Sequence, residues 1–561
     1  MKKTQPIDNV QPPTTAGIFP EKFADELAFL TNRHVAALIL TILIVVGFGL
    51  RVNKLGAESL SEDEFNKLQT VEEYRTNGLS GKNGEHPFLM KGLQTVSVIA
   101  AERISPAITP EAALRFPLAL FGTFTTLLLY FLFRELFGRS IALVTAALWA
   151  VEPIAVSFDR IAKEDSLVLF FFLLTSICWV RSQTLAERGA SNWIGYVWGM
   201  GVSFAALMAS KYYPWLLSII GGYYNVFEYI PLRKWRVGMG RWLIFFIVMG
   251  TAFLLFNPTI LLPETWREMA KFSSEGRVGH DSYEFMGQLY SHKMSAWLAG
   301  VPWTFYYVFI AVKSSLSTLI LFLIGIPLLF KKRLGDGRFY VALWAFLWFM
   351  PYTVLGGKFT RYFAVAEPLV LLGAAVAFYF GVKWLSDRLQ LPGLASALLQ
   401  STLFAILIGI PLYDTLSATP HVRMFTNALG GGMSAAGRYF PHDEFYDAAS
   451  ADIVSDIAQI TSPGATVACE TPELLAYYQQ KARTADLKFV SLSDKQAVTE
   501  LKEGDVIVLT TGRRYFSNMA YEQAFNGSLP AADVRIAGAT AARLYKLDAA
   551  KMQTIRDIAN R

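Results

Sequence analysis

Long apolar runs separated by short charged connections fill the first 412 residues of the chain. An α-helix needs about twenty apolar residues to cross the hydrocarbon core of a bilayer, and several of these runs approach that length. The pattern therefore predicts about eleven transmembrane helices, at 35–50, 114–133, 141–158, 167–180, 193–209, 212–230, 242–260, 303–330, 339–355, 363–380 and 394–412. A shorter run at 88–101 is flanked by charges, which favours a helix lying at the membrane interface.

The pattern changes at about residue 413, where shorter periodic segments replace the long apolar runs. Helical periodicity at 452–460 and 474–479 alternates with strand-like runs at 465–469, 489–492 and 505–510. The sequence thus predicts an α-helical polytopic membrane protein with a C-terminal soluble α/β domain at 413–561. The glycines at 430–432 have no strand before them and no helix after them, so they predict a linker turn and not a dinucleotide-binding loop.

The composition agrees with a membrane protein and argues against other classes. Of the 561 residues, 53% are hydrophobic and only 17% are charged. The formal net charge of +6 does not predict a nucleic-acid partner, because the basic residues fall in short connections between the spans. Cys178 and Cys469 offer neither a disulfide framework nor the spacing of metal ligands.

The distribution of basic residues predicts an orientation. If residues 1–34 are cytoplasmic, the basic connections at 134–139, 181–188, 233–241, 331–338 and 383–388 all face the cytoplasm. The first apolar run follows a long polar segment and precedes no cleavage site, which favours a permanent anchor over a signal peptide. An odd number of spans in the transmembrane domain 35–412 places the loops 51–113 and 261–302 and the domain 413–561 outside. The short connections favour a bacterial inner membrane, and an endoplasmic reticulum membrane stays open.

Adjacent carboxylates follow the first span, in the segment Ser61, Glu62, Asp63 and Glu64. A carboxylate in a cavity close to the bilayer surface is a candidate base, because partial desolvation raises its pKa toward that task. The alternative is a solvated acidic turn, since Ser61 and Glu64 have the spacing of a capping box for the following helix. Spacing alone favours the second interpretation.

A second outer connection is dense in charge and includes Asp159, Arg160, Lys163 and Asp165. Ionisable groups at membrane depth are costly and commonly functional, whereas charges at headgroup depth need no special role. Both interpretations stay open for Asp159 and Lys163. Asp165 is the better functional candidate because it leads directly into the next span.

A third outer connection contains Lys358, Arg361 and Tyr362. Paired cations hold a phosphate well, and they stabilise the charge that grows on it when a sugar leaves. Attraction to lipid headgroups explains the same composition equally well.

Three residues are weak candidates for metal ligands: Glu85, His86 and His280. The chain has six histidines, and none shows a strong metal spacing such as two His on one helix turn. A structural role for His86 and His280 is the competing interpretation, and no metal or other cofactor is required by the chemistry. The polar and aromatic run at 439–444 is a candidate rim of a site, and a turn followed by a helix explains it equally well.

These segments, in this order, resemble the GT-C superfamily of membrane glycosyltransferases, in particular the protein O-mannosyltransferase-like branch that includes the aminoarabinose transferases acting on lipid A. The resemblance covers roughly residues 35–412. The motifs that carry it are Asp63-Glu64, Glu85-His86-Pro87-Phe88-Leu89 with Lys91, Leu114-Arg115-Phe116-Pro117 with Phe121-Gly122, Arg160 to Asp165 before Phe170-Phe171-Phe172, and Lys358 with Arg361-Tyr362 and Pro368.

The resemblance implies a GT-C fold and a glycosyltransferase that uses a polyprenyl-phosphate-linked sugar donor and inverts the anomeric centre. It implies Asp63 as the general base, with Glu64 and Asp165 shaping the acceptor or sugar site. The residues implied in substrate or phosphate binding are Lys358, Arg361, Tyr362, His86, Lys91 and Arg160. Phe88 stands where the family often has a second Pro, and His86 stands where the lipid A branch tends to have Lys, which leans toward the mannosyltransferases.

The expected partners are the lipid bilayer, the polyprenyl-phosphate donor and a protein, glycolipid or polysaccharide acceptor, with no nucleic acid. One rival is a lipid-linked sugar transporter or flippase, for which internal repeats are typical, and we see no such repeat. Another rival is a non-catalytic membrane scaffold that displays its C-terminal domain. A scaffold would not need two acidic segments and a basic segment on one side.

Overall fold

The computed structural model describes residues 26–221, 239–274, 279–335, 337–483 and 486–559. The helices up to residue 418 are α1 (Arg33–Val52), α2 (Glu62–Thr76), α3 (Phe88–Ile104), α4 (Pro110–Phe137), α5 (Arg139–Val151), α6 (Pro153–Asp159), α7 (Asp165–Glu187), α8 (Trp193–Ser210), α9 (Met239–Phe256), α10 (Pro263–Ser274), α11 (Phe305–Lys313), α12 (Leu316–Leu328), α13 (Gly337–Val354), α14 (Glu367–Arg388) and α15 (Gly393–Ala418). An antiparallel hairpin of β1 (Ser282–Phe285) and β2 (Gln288–Ser291) lies between α10 and α11.

The described ranges contain six helices that are long and apolar enough to cross a membrane: α1, α4, α7, α8, α14 and α15. The pair α5 and α6 makes a seventh span if the 61° bend between them lies within one crossing. Two shorter apolar helices, α9 and α12, add to this bundle. The polytopic membrane fold is therefore confirmed, although length and composition alone support fewer spans than the predicted eleven. Residues 222–230 of the predicted span at 212–230 lie outside the described residues.

The apolar run at 303–330 forms two helices instead of the single predicted span. The first, α11, ends at Lys313, and α12 begins at Leu316. The Ser315 N–H donates a hydrogen bond of 2.6 Å to the carboxylate of Glu152, and the Thr318 hydroxyl donates one of 2.8 Å. The break is stable because this carboxylate satisfies donors at the start of α12.

The bundle combines close helix packing with buried ion pairs near its loop end. An added Cβ at Gly325 of α12 would lie 1.9 Å from the backbone oxygen of Gly373 in α14, so only glycine permits this approach. Arg51 of α1 binds Asp159 of α6 at 2.8 Å, and both side chains are almost fully buried. Asp159 also accepts a hydrogen bond of 2.6 Å from Ser166. This satisfied pair gives Asp159 a structural role.

The turn before α2 is a capping box, as the spacing predicts. The Ser61 hydroxyl accepts from the Glu64 N–H, and Glu64 accepts from the Ser61 N–H at 2.9 Å. The turn is not solvated, because Glu64 is fully buried and binds Arg115 of α4 at 2.7 Å. Glu64 also accepts a hydrogen bond of 2.7 Å from the Ala162 N–H. The capping residue thereby fastens α2 to α4 and to the loop before α7.

The C-terminal part forms a mixed five-stranded sheet with helices. Its strands are β3 (Thr466–Cys469), β4 (Lys488–Ser491), β5 (Val506–Thr510), β6 (Ala532–Ile536) and β7 (Ala539–Lys546), in the order β4-β3-β5-β7-β6. β3 pairs in parallel with β4 and β5, and β7 pairs antiparallel with β5 and β6. The helices are α16 (Pro441–Phe445), α17 (Ser450–Ile460), α18 (Pro472–Ala482), α19 (Lys495–Thr499), α20 (Met519–Ala524) and α21 (Ala549–Ala559).

The predicted α/β character of this part is confirmed. Each predicted strand or helix has an observed counterpart within two to three residues, whereas β6, β7 and α21 were not predicted. The glycine cluster forms a turn, with Gly431 at φ 97° and Gly432 at φ 73°. Residues other than glycine rarely adopt such φ values. The backbone conformation of the turn therefore accounts for these glycines, and no nucleotide site is needed to explain them.

Candidate active site

A cavity of about 560 Å³ lies where the loops after α1 and α8, the loops before α7 and α14, and the C-terminal part meet. Its lining residues are Glu62, Asp63, Glu85, His86, Lys163, Glu164, Lys211, Tyr212, Tyr213, Phe272, Ser273, Gly279, His280, Met294, Phe359, Arg361, Tyr362, His442, Tyr446 and Arg513. Aromatic rings and ionisable groups both line its walls. Such a lining fits a ligand that combines a sugar-like ring with a charged group.

Asp63 lies at the second position of α2, and its carboxylate faces the cavity. Lys163 and the hydroxyl of Tyr446 both donate hydrogen bonds to Oδ2, the latter at 2.6 Å. The side chain is 39% exposed, whereas the neighbouring Glu64 is fully buried. The capping box therefore turns one carboxylate into the packed interior and presents the other to the cavity.

The charge state of Asp63 differs from the expectation of a raised pKa. Burial does push the pKa of Asp63 upward, but the positive charges of Lys163, Lys67 and Arg361 outweigh it and hold the pKa well below its ordinary value. Asp63 is thus ionised at neutral pH. The expectation was wrong because the sequence does not show that three cations surround this group.

Lys163 and Glu164 connect the second outer loop to α2 and to the loop before α3. Burial lowers the pKa of Lys163 to about 8, although Asp63 opposes this shift. Glu164 lies 3.2 Å from Lys67 and 3.2 Å from the Nδ1 of His86. Burial lowers the pKa of His86 to about 3 despite the opposing charge of Glu164, so His86 is neutral at pH 7.

Arg361 comes from the loop before α14 and lines the same cavity. Its guanidinium carbon lies 3.8 Å from the centroid of the Phe359 ring, a stacking arrangement that fixes the plane of the group. The nearest carboxylates are distant for ion pairs, with Asp165 at 3.9 Å and Asp443 at 3.7 Å. Its Nη1 is buried without a hydrogen-bond partner among the described residues. A guanidinium held in this way has donors to offer to an anion.

Lys211 is a second cavity cation, and it was not predicted. Its Nζ binds Asp165 at 2.9 Å and lies 4.6 Å from the centroids of the Tyr213 and Tyr362 rings. Asp165, the first residue of α7, therefore sits between Lys211 and Arg361. This predicted residue holds Lys211 by a hydrogen bond and does not line the cavity itself.

Two residues implied by the resemblance have structural positions outside the cavity. Glu64 is occupied by Arg115 and by backbone donors, as described above. Lys358 is buried, and its Nζ donates hydrogen bonds to the carbonyl oxygens of Val301, at 2.6 Å, and Leu355. The geometry gives no support to phosphate binding by Lys358, because its ammonium donors point into the backbone.

Lys91 and Arg160 also differ from the predicted role in substrate binding. The Nζ of Lys91 donates to the Asn83 carbonyl at 2.8 Å, and burial lowers the pKa of Lys91 to about 8. The guanidinium of Arg160 donates to the carbonyls of Leu50 and Asn53 at 2.9 and 2.8 Å. Both cations hold loop backbone in place next to the cavity.

The weak metal candidates share the cavity but have other neighbours. Glu85, His86 and His280 all line it, yet the described residues contain no group of three or more His, Cys, Asp or Glu side chains with metal-ligating geometry. The His280 ring stacks on Tyr515 at 4.1 Å and accepts a hydrogen bond of 2.9 Å from Arg513. Metal binding by these residues stays a prediction.

The C-terminal part supplies His442, Tyr446 and Arg513 to the cavity. Arg513 follows β5 and binds both Asp447 and Glu62, the latter at 2.6 Å. His442 lies in the segment 439–444, which the sequence predicted as a candidate rim of a site. Tyr446 and Arg513 carry no local sequence signal, because their partners lie 383 and 451 residues away.

The fold and the cavity together define an integral membrane protein whose loop face encloses an ionic site with an accessible carboxylate. Residues 104–261 match the family described as dolichyl-phosphate-mannose-protein mannosyltransferase. The matched segment includes the loop before α7 and Lys211. This match confirms the predicted resemblance to the GT-C membrane glycosyltransferases over that segment.

The similar individual proteins include one sequence relative and two solved structures. YkcB of Bacillus subtilis (strain 168), named as a mannosyltransferase, is 32% identical over 97 residues, which are 17% of this chain and 13% of that relative's length. The structure of ArnT from Cupriavidus metallidurans bound to undecaprenyl phosphate is similar with a TM-score of 0.47 and 14% identity, over 91% of this chain and 97% of that one. The oligosaccharyltransferase AglB from Archaeoglobus fulgidus has a TM-score of 0.49 and 11% identity, over 88% and 70%.

Proposed function

We propose that the protein transfers a sugar from a polyprenyl-phosphate-linked donor to an acceptor hydroxyl in the cavity that contains Asp63. One observation carries the proposal: the Asp63 carboxylate and the Arg361 guanidinium, with an incompletely used set of donors, line the same cavity. A base and an anion site in one cavity are what such a transfer needs. The family match supports the donor class, since its description names a dolichyl-phosphate sugar.

In the proposed step the acceptor oxygen attacks the anomeric carbon and passes its proton to Asp63. The bond between the anomeric carbon and the phosphate oxygen breaks, and the polyprenyl phosphate leaves with the electron pair. Arg361, Lys211 and Lys163 stabilise the negative charge that develops on the leaving phosphate. Direct displacement inverts the anomeric centre, and the polyprenyl phosphate is the leaving group, so no nucleotide sugar is needed.

The ion pair between Asp63 and Lys163 sets the order of donor binding and proton transfer in this proposal. Lys163 neutralises Asp63 and holds its pKa down. A donor phosphate competes for the Lys163 ammonium and weakens that hold, which raises the proton affinity of Asp63. The base thus becomes competent when the donor is bound, and donor binding precedes deprotonation of the acceptor.

The proposal includes the orientation that the basic connections predict. Residues 1–34 lie in the cytoplasm, and the cavity and the C-terminal part lie outside, in a bacterial inner membrane. Mannose is the preferred donor sugar because His86 stands where the lipid A branch tends to have Lys. Protein, glycolipid and polysaccharide hydroxyls are the acceptor classes to compare.

Purified protein in lipid nanodiscs and radiolabelled polyprenyl-phosphate mannose and aminoarabinose test the proposal. We expect wild type to release label from one donor, Asp63→Asn to lose turnover but retain donor binding, and Arg361→Ala to lose donor binding. The matched control is Glu72→Gln, which changes an exposed carboxylate of the same helix that pairs only with surface cations. Release that is unaffected by Asp63→Asn, or movement of intact donor across the membrane without release, would instead indicate a different base or a flippase.

A further inference from the structure

A second cavity, of about 540 Å³, lies in the C-terminal part beside the candidate active site. Its volume falls within the range of about 300–1,000 Å³ that small-molecule sites occupy. It opens at the carboxyl end of β5, next to Thr510, Thr511 and Gly512. Its floor is formed by β5 and by the antiparallel neighbour β7, with Leu509 and Thr510 on one strand and Arg543 and Tyr545 on the other.

The two cavities stand back to back across a wall one backbone segment thick. Arg513 and His442 line the candidate active site, whereas their chain neighbours Arg514 and Pro441 line the second cavity. The wall is tight, because an added Cβ at Gly512 would lie 2.5 Å from the carbonyl oxygen of Pro441. The φ of 91° at Gly512 also favours glycine.

Charged side chains of opposite sign line the second cavity in equal number. Glu284 of β1 and Glu522 of α20 face Arg514 and Arg543 of β7. Arg514 binds Glu284 at 3.2 Å, and its Nε is buried without a hydrogen-bond partner among the described residues. Burial raises the pKa of Glu522, although Arg514 opposes the shift. The formal charges cancel, so the lining is unsuited to a strongly charged ligand.

Carboxylates, guanidinium groups and side-chain amides next to each other offer the paired donors and acceptors that neighbouring sugar hydroxyls require. Asn526 adds an amide to the same wall. We propose that this cavity binds a neutral saccharide. Arg514 donates a hydrogen bond to one sugar hydroxyl, and Glu522 accepts a hydrogen bond from the neighbouring hydroxyl. The wall separates this cavity from Asp63, so only an extended glycan that passes over the edge of the wall would reach both; for such a glycan the cavity is an acceptor subsite, a role that rests on the proposed function. Saccharide binding itself does not depend on turnover.

The test measures binding of methyl α-mannopyranoside, methyl β-galactopyranoside and methyl α-arabinofuranoside to full-length protein in nanodiscs by saturation-transfer NMR. We expect saturable binding of at least one glycoside, weakened at least about ten-fold by Glu522→Gln and by Arg514→Met. Glu500→Gln, an exposed carboxylate of the same domain, is the matched control. Thermal unfolding of each variant separates a lost ligand contact from a lost fold.

Asp63→Asn distinguishes the two proposals. Glycoside binding that Asp63→Asn leaves intact, together with loss of transfer, supports both the subsite and the proposed base. Glycoside binding in a protein without any transferase activity supports the saccharide site and removes its acceptor role. Three results would overturn the saccharide site. They are the absence of saturable binding in the millimolar range, binding that both cavity variants leave unchanged in folded protein, and a preference for inorganic phosphate over the glycosides.

Discussion

The hydroxyl of Tyr446, in the C-terminal part, donates a hydrogen bond of 2.6 Å to the carboxylate of Asp63, 383 residues earlier in the chain. The same carboxylate oxygen accepts from Lys163. The candidate base is therefore held by two donors from two different regions, one titratable and one neutral. Each donor gives a separate experiment.

Removing the hydroxyl with Tyr446→Phe tests the neutral donor. A hydrogen bond to a charged group contributes about 1.5–3 kcal/mol and fixes the orientation of the carboxylate. We expect the loss of orientation to outweigh the gain in basicity of Asp63 and to lower kcat/KM for transfer by roughly ten-fold. The ring remains, together with its contacts to the guanidinium groups of Arg361 and Arg423. Donor affinity should therefore hold, and a pure loss of donor affinity would contradict this role for Tyr446.

The titratable donor predicts a pH dependence. Burial lowers the pKa of Lys163 to about 8, so the ammonium is present below that pH and is lost as the pH rises through it. Because the cation contributes to phosphate binding, we expect kcat/KM to fall on the alkaline side of about pH 8. Lys163→Arg keeps the charge at all accessible pH values and should remove this alkaline limb.

An alkaline limb that persists in Lys163→Arg would assign it to another group. Lys91 and Lys358, whose pKa values burial also lowers to about 8, are the first to examine. The corresponding Met substitutions would identify the responsible lysine. The acidic side gives a complementary observation: kcat/KM reports the free enzyme, in which the pKa of Asp63 is depressed, so we expect kcat/KM to persist below pH 5.

Lys358→Met and Arg361→Met separate the structural cation from the ligand-binding one. We expect Arg361→Met to weaken binding of polyprenyl phosphate at least about ten-fold, since it removes a charge-assisted contact. Lys358→Met should reduce the temperature of unfolding and leave the affinity of the remaining folded protein near that of wild type. Equilibrium binding and thermal unfolding on the same samples make the comparison. An equal loss of affinity in both variants would restore Lys358 to the phosphate site.

Glu64→Ala should act on folding and not on chemistry. It leaves the Arg115 guanidinium buried without its carboxylate, and removing one partner of a buried ion pair costs about 3–5 kcal/mol. We expect a large decrease in the unfolding temperature in nanodiscs. The surface pair of Glu72 and Arg75 is the control, since Glu72→Ala should cost no more than about 1 kcal/mol. A stable but inactive Glu64→Ala would instead favour the catalytic role that the resemblance implies.

The fold was predictable where the sequence pattern is long and repeated. Long runs of apolar residues predicted most of the helices. Short apolar runs predicted the strands at the centre of the C-terminal sheet. The break at Ser314 and Ser315 was not visible, because it depends on a carboxylate from another helix, Glu152. β6 was not predicted, although its exposed and buried residues alternate as in an edge strand; it has only five residues, two of them charged, Asp533 and Arg535.

The candidate site was predictable in its position more than in its contacts. Local motifs indicated the segments of Asp63, Asp165 and Arg361, and the structure brings all three into or against one cavity. The motifs did not indicate that the side chains of Lys358 and Arg160 turn toward backbone carbonyls, because packing against distant segments decides the direction of a side chain. Lys211 stood at the end of an apolar run, where an anchoring role at the membrane surface explained it equally well.

The contact between Tyr446 and Asp63 also limits how such proteins can recombine. A chimera joined at about residue 420 would take the candidate base from one parent and the hydrogen-bond donor to that carboxylate from the other. The C-terminal part therefore cannot be exchanged as an independent unit unless residues equivalent to Tyr446 and Arg513 are present in the new partner. Transplanting only the strands beyond Arg513, with this junction kept, is the exchange that preserves Asp63 and its surroundings.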